Sequence, residues 1–145
     1  MVIEKETKLS DVAKTGTVLN ADISAELLVN IFIPKTPLHD GAVIIGDDKI
    51  KSAACILPLT EQRNISKDLG TRHRAAIGMS EGADCAVVVV SEETGKISMA
   101  RNGFLTRNMT KDTLSRELKK ALNRTRTSDM ASAKEKFMNW TVKKK

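Results

Sequence analysis

The chain has 145 residues, 41% of them hydrophobic, with a net charge of +6 and a mean hydropathy of −0.24, which reads as one soluble domain long enough for a real core. Aromatic residues make up 3% and tyrosine is absent, so the core is expected to be aliphatic with methionine filling gaps. The charge argues against a nucleic-acid partner because it is confined: 11 basic and 4 acidic residues lie from Lys111 onward, 13 and 14 before it, the pattern of a solvated basic helix and tail.

Met1 to Thr7 reads as a polar, frayed start. Ser10 is placed to cap a short helix through Val12 and Ala13, ending near Gly16. Asp22 or Ser24 opens a second helix with Leu27, Leu28, Ile31 and Phe32 on one face. Pro34 and Pro37 end it, and Thr36-Pro37 forces an extended approach to Leu38 and His39. Ala42 to Ile45 reads as a buried strand, Gly46-Asp47-Asp48 as a turn and Lys49 to Leu57 as the returning strand. Thr60 to Leu69 is loop-like. Thr71 to Met79 reads as a helix with Ala75, Ala76 and Met79 inward. Ala83 to Val90 reads as the most buried strand, with cover on both faces. Lys96 to Ala100 returns after a turn, and Asn102-Gly103 is a second turn signal. Thr110 caps a helix carrying Leu114, Leu118, Ala121 and Leu122. Met130, Ala133, Phe137 and Trp140 form a last apolar stripe, expected to pack on the domain's own core. The fold class expected is α/β, a mixed, twisted central β-sheet flanked by helices on both faces. One domain is expected over 1–145, with a core of about 22–123 and a basic C-terminal helix or tail over 124–145.

Cys55 and Cys85 sit in apolar runs without metal-ligand spacing, as buried reduced thiols of a cytosolic protein do. No signal peptide or bilayer-length apolar stretch is present in the sequence. Gly41 and Gly46 have the spacing of a phosphate loop, but Asp47-Asp48 stand where Lys-Ser/Thr is required, which excludes a Walker-type site.

Two polar clusters carry the chemistry: Leu38-His39-Asp40-Gly41-Ala42 and Gly70-Thr71-Arg72-His73-Arg74, which hold both histidines of the chain. A carboxylate beside an imidazole suits a metal or a hydroxyl nucleophile, and paired guanidiniums suit polyphosphate oxygens. Taken singly, each has a plainer reading. Asp-Gly before a strand is usually a turn. Arg72 and Arg74 could pair with surface acids. Yet cations at a helix N-terminus oppose its dipole, so an anion is expected to offset them. Adjacent His39 and Asp40 point to opposite faces of an extended chain, so one metal shared by both within a protomer needs a bend there. Ser91-Glu92-Glu93 reads as a turn or an acidic metal site, with spacing favouring the turn.

Together the segments resemble the diadenylate cyclase domain. Its two motifs stand here as Asp40-Gly41-Ala42 and Arg72-His73-Arg74. Pro37-Leu38-His39 precedes the first, Leu69-Gly70-Thr71 the second, and Ser91-Glu92-Glu93-Thr94-Gly95 lies downstream of both. The resemblance runs from the second helix to Asn102-Gly103. It is strongest to the membrane-anchored Gram-positive branch, and implies an excised cytoplasmic domain whose parent is anchored in the cell membrane by segments absent from this chain.

The resemblance implies a nucleotidyltransferase that condenses two ATP into cyclic di-AMP across a homodimer. Asp40 activates the ribose hydroxyl, with Gly41 and Ala42 completing that motif. Thr71, Arg72, His73, Arg74 and Ser91 hold phosphates, and Leu57 and Gly41 contribute backbone near the adenine and ribose. His39, Asp40 and Glu93 are the implied metal ligands; a histidine among them favours Mn²⁺ over Mg²⁺, with Co²⁺ also possible. An aromatic residue is expected where Ile56 stands. The alternatives are a catalytically silent nucleotide-binding module of the same fold and, from the basic tail alone, a nucleic-acid binder.

Overall fold

A computed structural model describes residues 1–123. It contains one seven-stranded sheet in the order β2-β4-β3-β1-β5-β6-β7. The strands are β1 (Val2–Glu4), β2 (Thr17–Asp22), β3 (Ala42–Gly46), β4 (Lys49–Cys55), β5 (Cys85–Val90), β6 (Ile97–Arg101) and β7 (Phe104–Met109). The helices are α1 (Ser10–Ala13), α2 (Ala25–Ile31), α3 (Thr71–Gly82) and α4 (Lys111–Asn123). Only β1 and β3 run parallel; every other neighbouring pair is antiparallel.

Alternation along the strands builds two cores, one on each face. Ile3, Val43, Ile45, Val88 and Met99 face Leu28 and Ile31 of α2 and Leu114, Leu118 and Leu122 of α4. Val2, Ala42, Ile44, Val87, Val89 and Ala100 face α1 and the Ala76 and Met79 side of α3. The mixed sheet with helices on both faces is therefore as expected. So are the caps: Ser24 Oγ accepts from Leu27 N at 3.1 Å, and Thr110 Oγ1 from Thr113 N at 3.1 Å.

Four readings are corrected. Met1 to Thr7 is not frayed, because Val2, Ile3 and Glu4 are buried at the centre of the sheet. The packed unit therefore reaches upstream of position 22. Glu4 is tolerated there because Lys51 Nζ lies 2.7 Å from one carboxylate oxygen and Leu9 N donates to the other at 2.9 Å. Burial works against the Lys51 ammonium, but hydrogen bonds to Glu4 and Asp47 outweigh it and raise its pKa. Two more corrections are the edge strands β2 and β7, which occupy stretches without a strand signal. Ser10, expected as a cap, is the first residue of α1 and comes after an uncapped Leu9. The stripe at Met130, Ala133, Phe137 and Trp140, and the basic segment around it, lie outside the described residues.

Candidate active site

Strand direction decides which segments meet. β3 and β4 are antiparallel, with Ala42 opposite Cys55, so the start of β3 and the end of β4 share one edge of the sheet. β1 is parallel to β3 and antiparallel to β5, which brings the end of β5 to that same edge. A two-residue link, Ala83-Asp84, joins α3 to β5, and α3 doubles back over β5 through Ala76 and Met79. Its N-terminus therefore returns to the edge as well. Asp40, Leu57, Arg72 and Ser91 come from four separate segments and are gathered there by topology. An ion pair between Arg72 Nη2 and Glu92 Oε1 closes the arrangement from α3 to the β5–β6 turn.

The chain bends at His39–Gly41. Gly41 has φ +109°, and a Cβ there would lie 2.8 Å from the backbone carbonyl carbon of Ala54 and the Cys55 carbonyl oxygen. Only glycine satisfies both the dihedral and the close approach to β4. Ala42 is buried as the first residue of β3, so its side chain belongs to the core and only its backbone reaches the edge. His39 Nδ1 lies 2.8 Å from the Thr36 carbonyl oxygen. A carbonyl can only accept, so Nδ1 carries a proton, and in the neutral ring Nε2 is left as the nitrogen that could bind a metal. Asp40 and Glu93 are exposed and form no ion pair among the described residues. No group of three or more His, Cys, Asp or Glu side chains gathers as a metal site among the described residues. His39, Asp40 and Glu93 thus offer suitable donor chemistry, and the bend is present, but they do not form one cluster.

Helix α3 begins at Thr71 after an uncapped Gly70, with no acidic residue in its first turn. Its unpaired N–H groups and dipole face the edge. Thr71 is exposed, and Arg72 is paired with Glu92. Arg74 is half-buried and pairs with no carboxylate among the described residues. His73 points the other way: it is 9% exposed, and burial, helped by the Arg107 charge, holds its imidazole below the usual pKa of 6.5. It is a neutral group under the helix. Ser91 Oγ accepts from Thr94 N at 3.3 Å, leaving its own proton free to donate. Leu57 is half-buried, while Ile56 is 72% exposed.

Sequence reasoning did not find Thr60, which seats the segment after β4 on α3, or the Asp68–Arg107 pair. Arg107 Nη2 lies 2.6 Å from Asp68. That bond, with a smaller effect from Ser66, holds the Asp68 carboxyl down to about 2. The partners are 39 residues apart and no local signal joins them. Both cysteines are buried and free, and burial with the Asp84 charge pushes Cys85 up to about 11, an inert thiol.

A family model described as DAC, DisA bacterial checkpoint controller nucleotide-binding, matches residues 1–105. The cyclic di-AMP synthase CdaA of Bacillus subtilis is 52% identical over 132 residues, covering 91% of this chain and 48% of that protein. A diadenylate cyclase of Listeria monocytogenes is 52% identical over 120 residues, covering 83% and 44%. The chain thus spans about half the length of these curated relatives. The crystal structure of DacA from Staphylococcus aureus, a double mutant, superposes with a TM-score of 0.81 at 50% identity, over 83% of this chain and 80% of that one. A hypothetical membrane spanning protein from Bacillus cereus superposes with a TM-score of 0.72 at 51% identity, over 75% and 53%. No helix among the described residues is long and apolar enough to cross a membrane.

Proposed function

The chain belongs to the diadenylate cyclase (DAC) family, and from that membership we propose that it condenses two ATP into cyclic di-AMP and releases two pyrophosphates. The observation that carries this reading is Arg74: a half-buried residue whose guanidinium has no carboxylate partner among the described residues, at an uncapped helix N-terminus on the edge that holds Asp40. Such an arrangement suits an anionic ligand with several oxygens.

In the proposed reaction each protomer of a homodimer holds one ATP. The 3′-oxygen of one forms a bond to the α-phosphorus of the other, and the bond from that phosphorus to the bridging oxygen of pyrophosphate breaks. Asp40 orients the 3′-hydroxyl and accepts its proton. Arg72 and Arg74, with Thr71, Ser91 and the α3 N–H groups, hold the triphosphate and the charge that builds on the leaving pyrophosphate. The backbone of Gly41 and Leu57 borders the ribose and adenine. His73 supports the helix from below. A divalent ion held by His39, Asp40 and Glu93 drawn from both protomers would offset charge on the α-phosphate; the imidazole favours Mn²⁺ over Mg²⁺, and Co²⁺ is the other candidate. The parent protein is proposed to be membrane-anchored through segments outside this chain.

The test is incubation with ATP and Mn²⁺, then Mg²⁺, with products resolved by chromatography and mass detection. Cyclic di-AMP with pyrophosphate is expected. Asp40→Asn should bind ATP and make none, and full turnover by that variant would remove Asp40 from the mechanism. ATP binding by the wild type without product would favour the silent module.

A further inference from the structure

The segment leaving β4 is fastened at two points. Ile56 N donates to Thr15 Oγ1 at 2.8 Å at one end. At the other, Thr60 N donates to the Arg74 carbonyl oxygen at 3.0 Å. Thr60 is 8% exposed. Its hydroxyl donates to Glu81 Oε1 at 2.7 Å and accepts from Gln62 N at 3.2 Å. Directly beneath, a Cβ at Gly78 would collide with the carbonyl oxygen of Pro58 and the backbone of Leu59 and Thr60. The missing side chain lets this segment lie on α3 backbone to backbone. One helix therefore carries both Arg72 and Arg74 and the clamp that holds the strand exit bearing Leu57.

We propose that Thr60, seated over Gly78, is a positioning residue that sets the distance between the nucleobase-facing segment Ile56–Leu57 and the phosphate-binding first turn of α3. This inference rests on the nucleotide reading of the site and goes beyond it. A rigid ligand with a base at one end and a triphosphate at the other binds well only if its two subsites keep a fixed separation, because binding at one end then makes the other effectively intramolecular. The backbone N–H of Thr60 bonds to the carbonyl of Arg74, and its hydroxyl fixes that contact by tying the same segment to Glu81 of α3, so Thr60 couples the two subsites without touching either end of the ligand.

The coupling is read by comparing a whole ligand with half of one. Titrations would use 3′-deoxy-ATP, which lacks the attacking hydroxyl, and inorganic tripolyphosphate, which meets only the α3 end. Thr60→Val keeps shape and β-branching but removes the hydroxyl bonds. It should weaken 3′-deoxy-ATP by about tenfold or more while tripolyphosphate affinity stays within about twofold. Thr60→Ser should restore the wild-type gap between the two ligands. Equal loss for both ligands would overturn the inference in favour of general damage to α3, and no loss for either would overturn it outright. A wild type that holds tripolyphosphate but not 3′-deoxy-ATP would overturn the nucleotide reading itself, and this inference with it. Thermal unfolding of each variant, expected near wild type, checks that the fold is kept.

Discussion

The two arginines of α3 sit in different electrostatic states. Arg72 is 43% exposed at its side chain and paired with Glu92, itself 65% exposed. Arg74 is half-buried and has no carboxylate among the described residues. On the proposed reading, a triphosphate has to displace Glu92 to use Arg72 fully, whereas Arg74 is available at once. Exposed pairs contribute roughly 0–1 kcal/mol, so Glu92→Gln should lower the KM for ATP by no more than about fivefold, with kcat little changed. Arg74→Ala should raise KM by a larger factor, since it removes a charge-assisted contact at a partly desolvated position. Michaelis constants for the two variants check the contrast. If Glu92→Gln raised KM, the side chain would be assisting the nucleotide rather than competing with it.

Helix α3 shows which elements could be read from sequence and which could not. Its start at Thr71 and its inward Ala76 and Met79 follow from spacing, although the helix runs on to Gly82 past the expected end at Met79; the apolar strands β3 and β5 and the leucine stripe of α4 follow from spacing too. β1 escaped because it has three residues and ends in Glu4, whose burial makes sense only once Lys51, 47 positions away, is beside it. β7 escaped because an edge strand is mostly exposed and shows no apolar run. His73 posed a related problem: its motif suggested a ligand, yet helical phase turns it under α3, where Arg107 and Asp68 act on it. That placement has a pH signature. Its folded pKa lies below 6.5, so below pH 6.5 the unfolded chain binds the proton more readily than the native one. Stability is unaffected above that pH and falls as pH drops through 6.5 towards the folded value, with a slope of at most about 1.4 kcal/mol per pH unit from this one group. The lowered carboxylates Asp47 and Asp68 act only below 3.8, in a separate window. Denaturant midpoints between about pH 5 and 7.5 should fall more steeply with acid for wild type than for His73→Gln. Parallel curves would mean that His73 is not desolvated in the native state.

At the scale of the whole molecule, the sheet order brings the start of β3 and the ends of β4 and β5 to one edge. The two motifs were legible as Asp40-Gly41-Ala42 and Arg72-His73-Arg74, but their meeting was not, because it depends on β1 lying between β3 and β5. The Thr60 clamp and the Arg72–Glu92 pair were hidden for the same reason. The edge also has a stoichiometric consequence. His39, Asp40 and Glu93 form no three-donor cluster within the described residues of one chain, and a ring made from two nucleotides needs two 3′-oxygens aimed at two phosphorus atoms. In the proposed reaction one edge holds one nucleotide and supplies half of that. If a second copy supplies the rest, turnover per molecule depends on the fraction paired, which rises with total concentration until the dimer saturates. Specific activity should therefore increase with protein concentration and level off, and the rise should coincide with the monomer–dimer transition measured by static light scattering on the same samples. Activity strictly proportional to protein from well below that transition would show that one chain completes the ring alone, and the homodimer of the proposed reaction would have to be abandoned.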